Sequence, residues 1–420
     1  MTAEAIPGSG AQVAQVAQDF QWDGNKLEVG AAIAASGGGF RAMLFHVGAF
    51  IRLNELGILG VVKRISSVSG GSIACGYLAK VWTDLAKSQA NGVFTSFKDT
   101  YVLPMLAFSK NKIDVVDALT GVLPWSSAAD EVAASYDELL FKGWTLQNLP
   151  DDPRFVFCAT NLQTGVLWRS SKPYAGDYVL GKVENPQISL AKAVAASSAF
   201  PPVLSPLVLA GLGGQFKPWP TGAGPVSESD LGPFRERVIL SDGGVYDNHG
   251  LEPIQKRYTT IFVSYGGGPF DRSSQVGTDW ISQLKRVLDV IDNQVGSLRR
   301  RDLMQSLIAG NSINDENEIV SKQLTARRGA YWGIDTDPEK VALPDALPCN
   351  RDVVKALALI STRLSDPGDQ AAKRLINWGY AIADRCVRTH YIADRCVRTH
   401  YKGKINPAGP KLPFPEAALS

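Results

Sequence analysis

The chain has 420 residues, of which 45% are hydrophobic, and its 43 Lys and Arg against 41 Asp and Glu give a formal net charge of +2. This length and composition predict a globular protein with a sizeable core, and the small net charge gives no reason to expect nucleic acid as a partner. Five scattered cysteines without C-x-x-C spacing indicate neither a disulfide framework nor a zinc site.

The first 26 residues are rich in Ala, Gln and Gly and predict a flexible arm. They lack the basic and apolar segments of a secretory signal. The longest apolar stretch of the chain, residues 188–212, is interrupted by a lysine and three prolines and does not fit a membrane span. We therefore expect a cytoplasmic protein without a transmembrane helix, which contacts a membrane only at its surface.

The first predicted element is a buried strand over residues 29–35, followed by a loop with three consecutive glycines and then by a helix that ends near Gly57. Backbone N–H groups converge in such a loop, and the helix dipole favours negative charge there. A phosphate-binding loop and a dinucleotide-binding loop are both disfavoured, because neither G-K-[ST] nor G-x-G-x-x-G is present. An oxyanion hole for acyl transfer requires backbone donors of this kind.

Two side chains beside this loop have competing interpretations. Arg41 would orient the loop or attract an anionic head group, and a structural ion pair at the helix start is the alternative. His46 has apolar neighbours on both sides, so we expect a packed, hydrogen-bonded histidine rather than a catalytic one.

A serine in a sharp turn follows the next strand. A β-type run over residues 61–65 leads to Ser69, two glycines come next, and a helix-compatible run extends from Ser72 to Lys80. In a strand-turn-helix unit of this type the side chain at the turn projects from the strand end, and the N–H groups of the new helix point towards it. Ser69 is therefore the candidate nucleophile, although a simple Ser/Gly loop is an equal alternative for this stretch alone.

The middle of the chain supplies a second candidate. Residues 90–150 predict either a cap that lines an acyl-chain pocket or ordinary helical packing. A β-hairpin over residues 154–170 and a small-residue helix over 189–199 follow. A short buried strand then ends at Asp242, where two glycines follow a carboxylate that a serine on a neighbouring strand could reach. His249 lies just beyond, and a triad role for it is disfavoured because it would need a tight local return.

The last third of the chain is predicted to be mainly helical. Residues 280–307 predict a long amphipathic helix with three arginines near its end. These arginines indicate a solvated face, and contact with an anionic membrane is the alternative interpretation. Residues 382–391 and 392–401 are identical, and ten residues turn a helix by about 1000°, so both copies cannot face one core along a straight helix. We expect one copy to pack, within a helical region over 311–401, and a flexible Pro-rich tail over 402–420.

Four blocks occur in an order that resembles the patatin-like phospholipase family. They are residues 37–41, 67–71, 195–201 and 242–244. The departures from the family pattern are Ser67 in place of the usual Gly and Ala42 in place of the Gly often seen after the arginine.

This resemblance implies a three-layer α/β/α fold with a mostly parallel central sheet, helical cap insertions and a catalytic domain over residues 27–310. It implies a Ser-Asp dyad of Ser69 and Asp242 that works without histidine, metal or cofactor. The implied oxyanion hole consists of Gly37, Gly38, Gly39 and Phe40. The implied supporting positions are Arg41, Gly71 and Gly243.

The implied activity is hydrolysis of the carboxylic esters of phospholipids or lysophospholipids through an acyl-enzyme, with transient contact to a membrane surface. Two other classes stay open. One is a non-catalytic lipid-binding protein, and the other is a membrane-degrading effector whose activity is released by a protein partner or a small-molecule signal.

Overall fold

The computed structural model describes residues 27–113, 125–219, 226–392 and 409–420. The predicted arm over residues 1–26 and nearly all of the second copy of the repeat lie outside the described residues. The strands are β1 (Glu28–Ala35), β2 (Arg64–Ser67), β3 (Gln89–Ala90), β4 (Val93–Phe94), β5 (Arg154–Asn161), β6 (Val166–Ser170), β7 (Tyr174–Asp177), β8 (Gly181–Glu184), β9 (Leu207–Ala210), β10 (Phe216–Lys217), β11 (Arg237–Asp242), β12 (Tyr258–Tyr265) and β13 (Arg328–Gly333).

The α-helices account for most of the remaining regular structure. They are α1 (Gly39–Glu55), α2 (Gly70–Lys87), α3 (Leu103–Phe108), α4 (Trp125–Tyr136), α5 (Leu190–Ser197), α6 (Gly232–Glu236), α7 (Gly244–Asp247), α8 (Glu252–Gln255), α9 (Trp280–Asn311), α10 (Glu316–Ser321), α11 (Arg351–Ala358) and α12 (Asp369–Val387). In the described part of the chain, none of these helices combines the length and apolar character that a membrane span requires.

Eleven of the described strands form one mixed sheet in the order β10-β8-β7-β6-β5-β2-β1-β12-β13, and β11 and β9 join it through β5. The strands β5, β2, β1, β12 and β13 are mutually parallel, and antiparallel pairs extend the sheet beyond β5. Helices cover both faces of this sheet. The predicted α/β/α architecture is therefore confirmed.

The alternation of side chains along β1 separates two apolar cores. Ala31, Ile33 and Ala35 belong to the larger core, which contains residues of α1, α2, α5 and α12. Ala32 and Ala34 point to the opposite face, where residues of α8 and the C-terminal part of α9 cover them. Parallel strands are normally buried on both faces in this way, which explains why residues 29–35 read as a continuous apolar run.

The C-terminal region is part of the same fold rather than a helical layer added to it. Its strand β13 pairs in parallel with β12. Strand β13 was not predicted from the sequence. Helix α12 crosses α1 at two glycines, since a β-carbon added at Gly48 would lie 1.9 Å from the Ile376 carbonyl oxygen and one at Gly379 would lie 1.9 Å from that of Phe45. Only glycine permits helices to approach so closely.

The first copy of the repeat, residues 382–391, is packed within and just beyond α12. The end of the chain is packed as well. Phe414, Ala417 and Leu419 are buried, and the Asn377 side-chain amide donates to the carbonyls of Phe414 and Ala417 at 2.7 and 2.8 Å. The predicted flexible tail is therefore wrong for residues 409–420, because three apolar side chains outweigh the effect of the prolines around them.

Candidate active site

The two predicted catalytic side chains come together because their strands share one partner. Strand β2 runs parallel to β5 and ends with Ser67 opposite Phe157. Strand β11 runs antiparallel to β5 and ends with Asp242 opposite Ala159. Strand β6 lies on one side of β5, so β2 and β11 both lie on its other side. Their C-terminal ends therefore meet there, opposite β5 residues that are two positions apart.

Ser69 occupies the turn between β2 and α2 in a strained backbone conformation. Its φ of 50° and ψ of −121° are unusual for a residue other than glycine. Helix α2 begins at the next residue, so the first-turn N–H groups surround the serine. The side chain is buried but not sealed, with 7% of the residue exposed. These features are those of a nucleophile elbow.

The glycine loop presses directly against this elbow. A β-carbon added at Gly37 would lie 3.0 Å from Ser69 Cβ, and one added at Gly70 would lie 2.1 Å from the Gly39 carbonyl oxygen. A β-carbon at Gly71 would lie 2.3 Å from the Ala35 carbonyl oxygen. These positions have no room for side chains, which explains the two glycine runs. The supporting role of Gly71 stays a prediction.

The donors available in this loop are fewer than the sequence predicted. The N–H group of Gly37 donates to Asn248, at 3.1 Å to the side-chain oxygen, and that of Phe40 donates to the Arg363 carbonyl at 3.2 Å. Among the described residues, the N–H groups of Gly38 and Gly39 have no hydrogen-bond partner. Of the four predicted donors, Gly38 and Gly39 therefore have N–H groups available to a ligand, and their role as an oxyanion hole stays a prediction.

The Asp242 carboxylate is almost completely buried beside Ser69. It accepts a hydrogen bond from the Gly244 N–H at 2.7 Å. Burial raises the pKa of Asp242 to about 7, the Gly244 N–H and the Ser69 hydroxyl oppose this rise, and the nearby charge of Asp292 adds to it. A β-carbon added at Gly243 would lie 2.3 Å from the Cys158 carbonyl oxygen, so a glycine must follow the aspartate.

Ser197, at the end of α5, connects the elbow to the aspartate loop. Its carbonyl oxygen accepts from the N–H groups of Ser69 and Gly243 at 3.1 and 3.2 Å. Its hydroxyl accepts from the Ser69 N–H at 3.0 Å and donates to the Cys158 carbonyl at 2.6 Å. The small-residue block 195–201 is visible in the sequence, but the role of this serine is not, because hydrogen bonds between distant segments leave no local signal.

Arg41 binds three backbone carbonyls and forms no ion pair among the described residues. Its guanidinium donates to the carbonyl of Gly266, after β12, and to the carbonyls of Ala358 and Ile360 at 2.9 and 2.7 Å. Burial lowers the pKa of Arg41 to about 10. Of the predicted alternatives, orientation of the loop agrees with these contacts, whereas the buried guanidinium has no open face for a head group.

Neither histidine near the site contacts Ser69. His46 is fully buried, with ring nitrogens 2.8 Å from the Ser264 hydroxyl and 2.9 Å from the Ser36 carbonyl oxygen, as expected for a packed histidine. His249 stacks on Tyr265 with ring centroids 4.4 Å apart, and neither ring nitrogen has a hydrogen-bond partner among the described residues. Burial lowers the pKa of both histidines to about 4. Both are therefore neutral near pH 7.

Comparison with solved structures finds phospholipases among the similar chains. Human GIVD cytosolic phospholipase A2 is 12% identical with a TM-score of 0.49, and the match covers 92% of this chain and 63% of that one. VipD from Legionella pneumophila is 14% identical with a TM-score of 0.36, covering 86% and 67%. The heterodimeric ExoU-SpcU complex from the type III secretion system of Pseudomonas aeruginosa gives 17% identity and a TM-score of 0.24, covering 64% and 51%.

The chain thus spans less than two thirds of the length of the human enzyme that it matches. A comparison with curated proteins gives no significant match. The sequence model of the patatin-like phospholipase family matches residues 33–254, which include the glycine loop, the elbow and the aspartate. This match covers more than half of the chain and confirms the resemblance. The chain therefore belongs to the patatin-like phospholipase family.

Proposed function

We propose that this protein is a lipid acyl hydrolase that cleaves carboxylic ester bonds of phospholipids with Ser69 as nucleophile and Asp242 as base. Family membership supports lipid ester hydrolysis in general. The observation that carries the specific proposal is the position of a strained elbow serine beside a buried carboxylate, with no histidine of the described residues hydrogen-bonded to either.

In the first half of the reaction, Ser69 Oγ attacks the ester carbonyl while its proton passes to Asp242. The raised pKa of Asp242, about 7, makes its carboxylate a stronger base than an ordinary aspartate and suits proton transfer near neutral pH. The N–H groups of Gly38 and Gly39 stabilise the negative charge that develops on the carbonyl oxygen. The tetrahedral intermediate then expels the alcohol, which takes the proton from Asp242.

In the second half, water attacks the acyl-enzyme formed at Ser69. Asp242 accepts a proton from this water, the same two N–H groups hold the second oxyanion, and the fatty acid leaves as Ser69 regains its proton. A single carboxylate thus serves as base and acid in turn.

The experiment that tests this proposal compares wild type with Ser69→Ala on phospholipid vesicles and on a short chromogenic ester. Loss of the nucleophile is expected to lower turnover by roughly 10⁴-fold or more on both substrates. Ser72→Ala is the matched control, because it removes a buried hydroxyl three residues away that bonds to Ser67 and Ser197 but not to Asp242. Turnover by Ser69→Ala close to that of wild type would exclude the proposed mechanism.

A further inference from the structure

The long helix α9 is packed along only part of its length. Its buried residues all lie near the C-terminal end and are Leu303, Ser306, Leu307 and Gly310. The preceding part, residues 280–298, lies on the surface, and the loop over residues 271–279 before it is exposed as well. About 28 Å of helix therefore contains no buried residue.

This surface part carries a continuous apolar stripe. At about 100° per residue, eight of its nine large apolar side chains fall within an arc of roughly 120° around the helix axis, and Val290 lies about 60° outside that arc. Their exposed fractions range from 37% to 74%. The members of this apolar stripe are Trp280, Ile281, Leu284, Val287, Leu288, Ile291, Val295 and Leu298.

The apolar stripe lies to the side of the helix face that packs on the body of the protein. The direction of the buried residues Leu303, Leu307 and Gly310 lies roughly 100° around the axis from the centre of the stripe. In the surface part, that body-facing direction is occupied by polar or small residues such as Asp289, Asp292 and Gly296. If residues 280–298 packed with the same helix face as residues 303–310, most of the stripe would therefore remain exposed.

The same helix runs beside the candidate active site. Arg299 donates to the Tyr246 carbonyl at 3.1 Å, and its guanidinium lies 5.1 Å from the centre of the Tyr246 ring. Tyr246 belongs to α7, which begins two residues after Asp242. Val245, on the same short helix, is 49% exposed.

The breadth of the stripe favours a lipid surface over a second helix. A two-stranded coiled coil uses a narrow seam, whereas helices that lie in a membrane interface present a broad apolar face with cationic flanks. Large exposed apolar patches mark interaction sites in general.

The charges beside the stripe fit an anionic lipid surface. Residues 280–301 contain five cations and two carboxylates. The carboxylates at the two ends, Asp279 and Asp302, are engaged with the Ser282 N–H and with Gln255. Lys285, Arg299 and Arg300 form ion pairs with Asp289, Asp247 and Asp335, respectively. Arg286 and Arg301 have no carboxylate partner among the described residues, so their positive charge is available to complement negatively charged head groups.

We propose that the apolar stripe of α9 docks the protein on an anionic phospholipid bilayer and brings Ser69 to the membrane surface, an inference that rests on the proposed function for its choice of substrate. Docking uses side chains that take no part in the chemistry. Vesicle binding can therefore be measured without turnover.

The test uses the full chain with Ser69→Ala, so that lipid is not consumed, and vesicles of phosphatidylcholine with phosphatidylglycerol. Co-flotation with the vesicles is compared for this protein and for the same protein carrying Leu284→Glu and Ile291→Glu. Two charges placed in the stripe are expected to lower the vesicle-bound fraction by roughly tenfold or more. Asn293→Glu with Ser297→Glu adds the same charge to the opposite side of the helix and is expected to lower binding less than threefold, on the order of a purely electrostatic effect.

Three results would overturn the proposal. They are an absence of binding by the parent protein, equal binding by the stripe variant and the control variant, and a change from dimer to monomer in the stripe variant without a change in vesicle binding. The last result would assign the stripe to self-association. Urea unfolding of both variants shows whether each is folded.

The same stripe substitutions in the protein with intact Ser69 give a second readout. The ratio of vesicle hydrolysis to short-ester hydrolysis is expected to fall roughly tenfold, following the loss of binding. This readout separates the two proposals, because failure of the Ser69 mechanism leaves the flotation result standing. A ratio equal to that of wild type would show that docking does not depend on the stripe.

Discussion

The C-terminal edge of the parallel strands, a sheet edge that holds Ser69, and the surface part of α9 are packed in opposite ways. At the sheet edge, the backbones of the glycine loop and the elbow touch, and a β-carbon added at Gly70 would lie 2.1 Å from the Gly39 carbonyl oxygen. On α9, side chains as large as Trp280 and Leu284 are more than half exposed. This chain thus packs its backbone tightly where Ser69 must be positioned, and it exposes large apolar side chains on α9.

The largest expected effect is on the rate, from removal of the buried charge at the sheet edge. Asp242→Asn keeps the shape of the side chain and an oxygen for the Gly244 N–H, but it removes the base. Turnover should fall on the order of 10³-fold. For wild type, kcat/KM should rise with pH and level off above about 7, because Asp242 accepts a proton only when it is deprotonated. A profile without a change near pH 7 would assign the base to another group.

The same variant should be more stable than wild type. Burial raises the pKa of Asp242 from 3.8 to about 7, so the folded protein binds a proton more tightly than the unfolded chain does. Wild type therefore loses stability as pH rises from about 4 to 7, whereas Asp242→Asn does not. The difference in unfolding midpoint should grow over this interval and then stay constant.

The next effect tests the close backbone contact at the sheet edge. Gly39→Ala would place a β-carbon 1.8 Å from the Thr362 carbonyl oxygen at a φ of +57°. We expect a loss of roughly 3–5 kcal/mol in the free energy of unfolding, measured by urea denaturation. Gly165→Ala is the matched control, since its φ is +71° but nothing lies within 4 Å of the added carbon. It should cost about 1 kcal/mol from backbone strain alone. Equal losses would mean that strain, not contact, dominates at Gly39.

The smallest effect compares two leucines on the same helix. Leu303 is fully buried and Leu288 lies in the apolar stripe. Leu303→Ala should lower the free energy of unfolding by roughly 2–5 kcal/mol, whereas Leu288→Ala should change it by less than about 0.5 kcal/mol. A large loss for Leu288→Ala would show that the stripe is covered within the protein itself.

Several local features could be predicted from the sequence because their causes are local. The apolar run before the first glycine loop becomes β1, the hairpin of β5 and β6 forms around its predicted turn, and the helix pattern from residue 280 becomes α9. The run predicted as a strand over residues 61–65 is partly a 3₁₀ turn, Leu59–Val61, with β2 starting at Arg64. Strand β13 was missed because a helical interpretation was extended across residues 328–333.

The sequence by itself determined the order of the glycine loop, the serine elbow and the aspartate, since each depends on residues that are adjacent in the chain. Tertiary structure alone decided that Ser69 meets Asp242, because the meeting depends on the register of two distant strands along β5. It also decided which loop N–H groups have no partner, since Asn248 and Arg363 reach the loop from segments more than 200 residues away. The direction of the apolar stripe was decided in the same way, because periodicity gives the width of an apolar face but not what that face packs against.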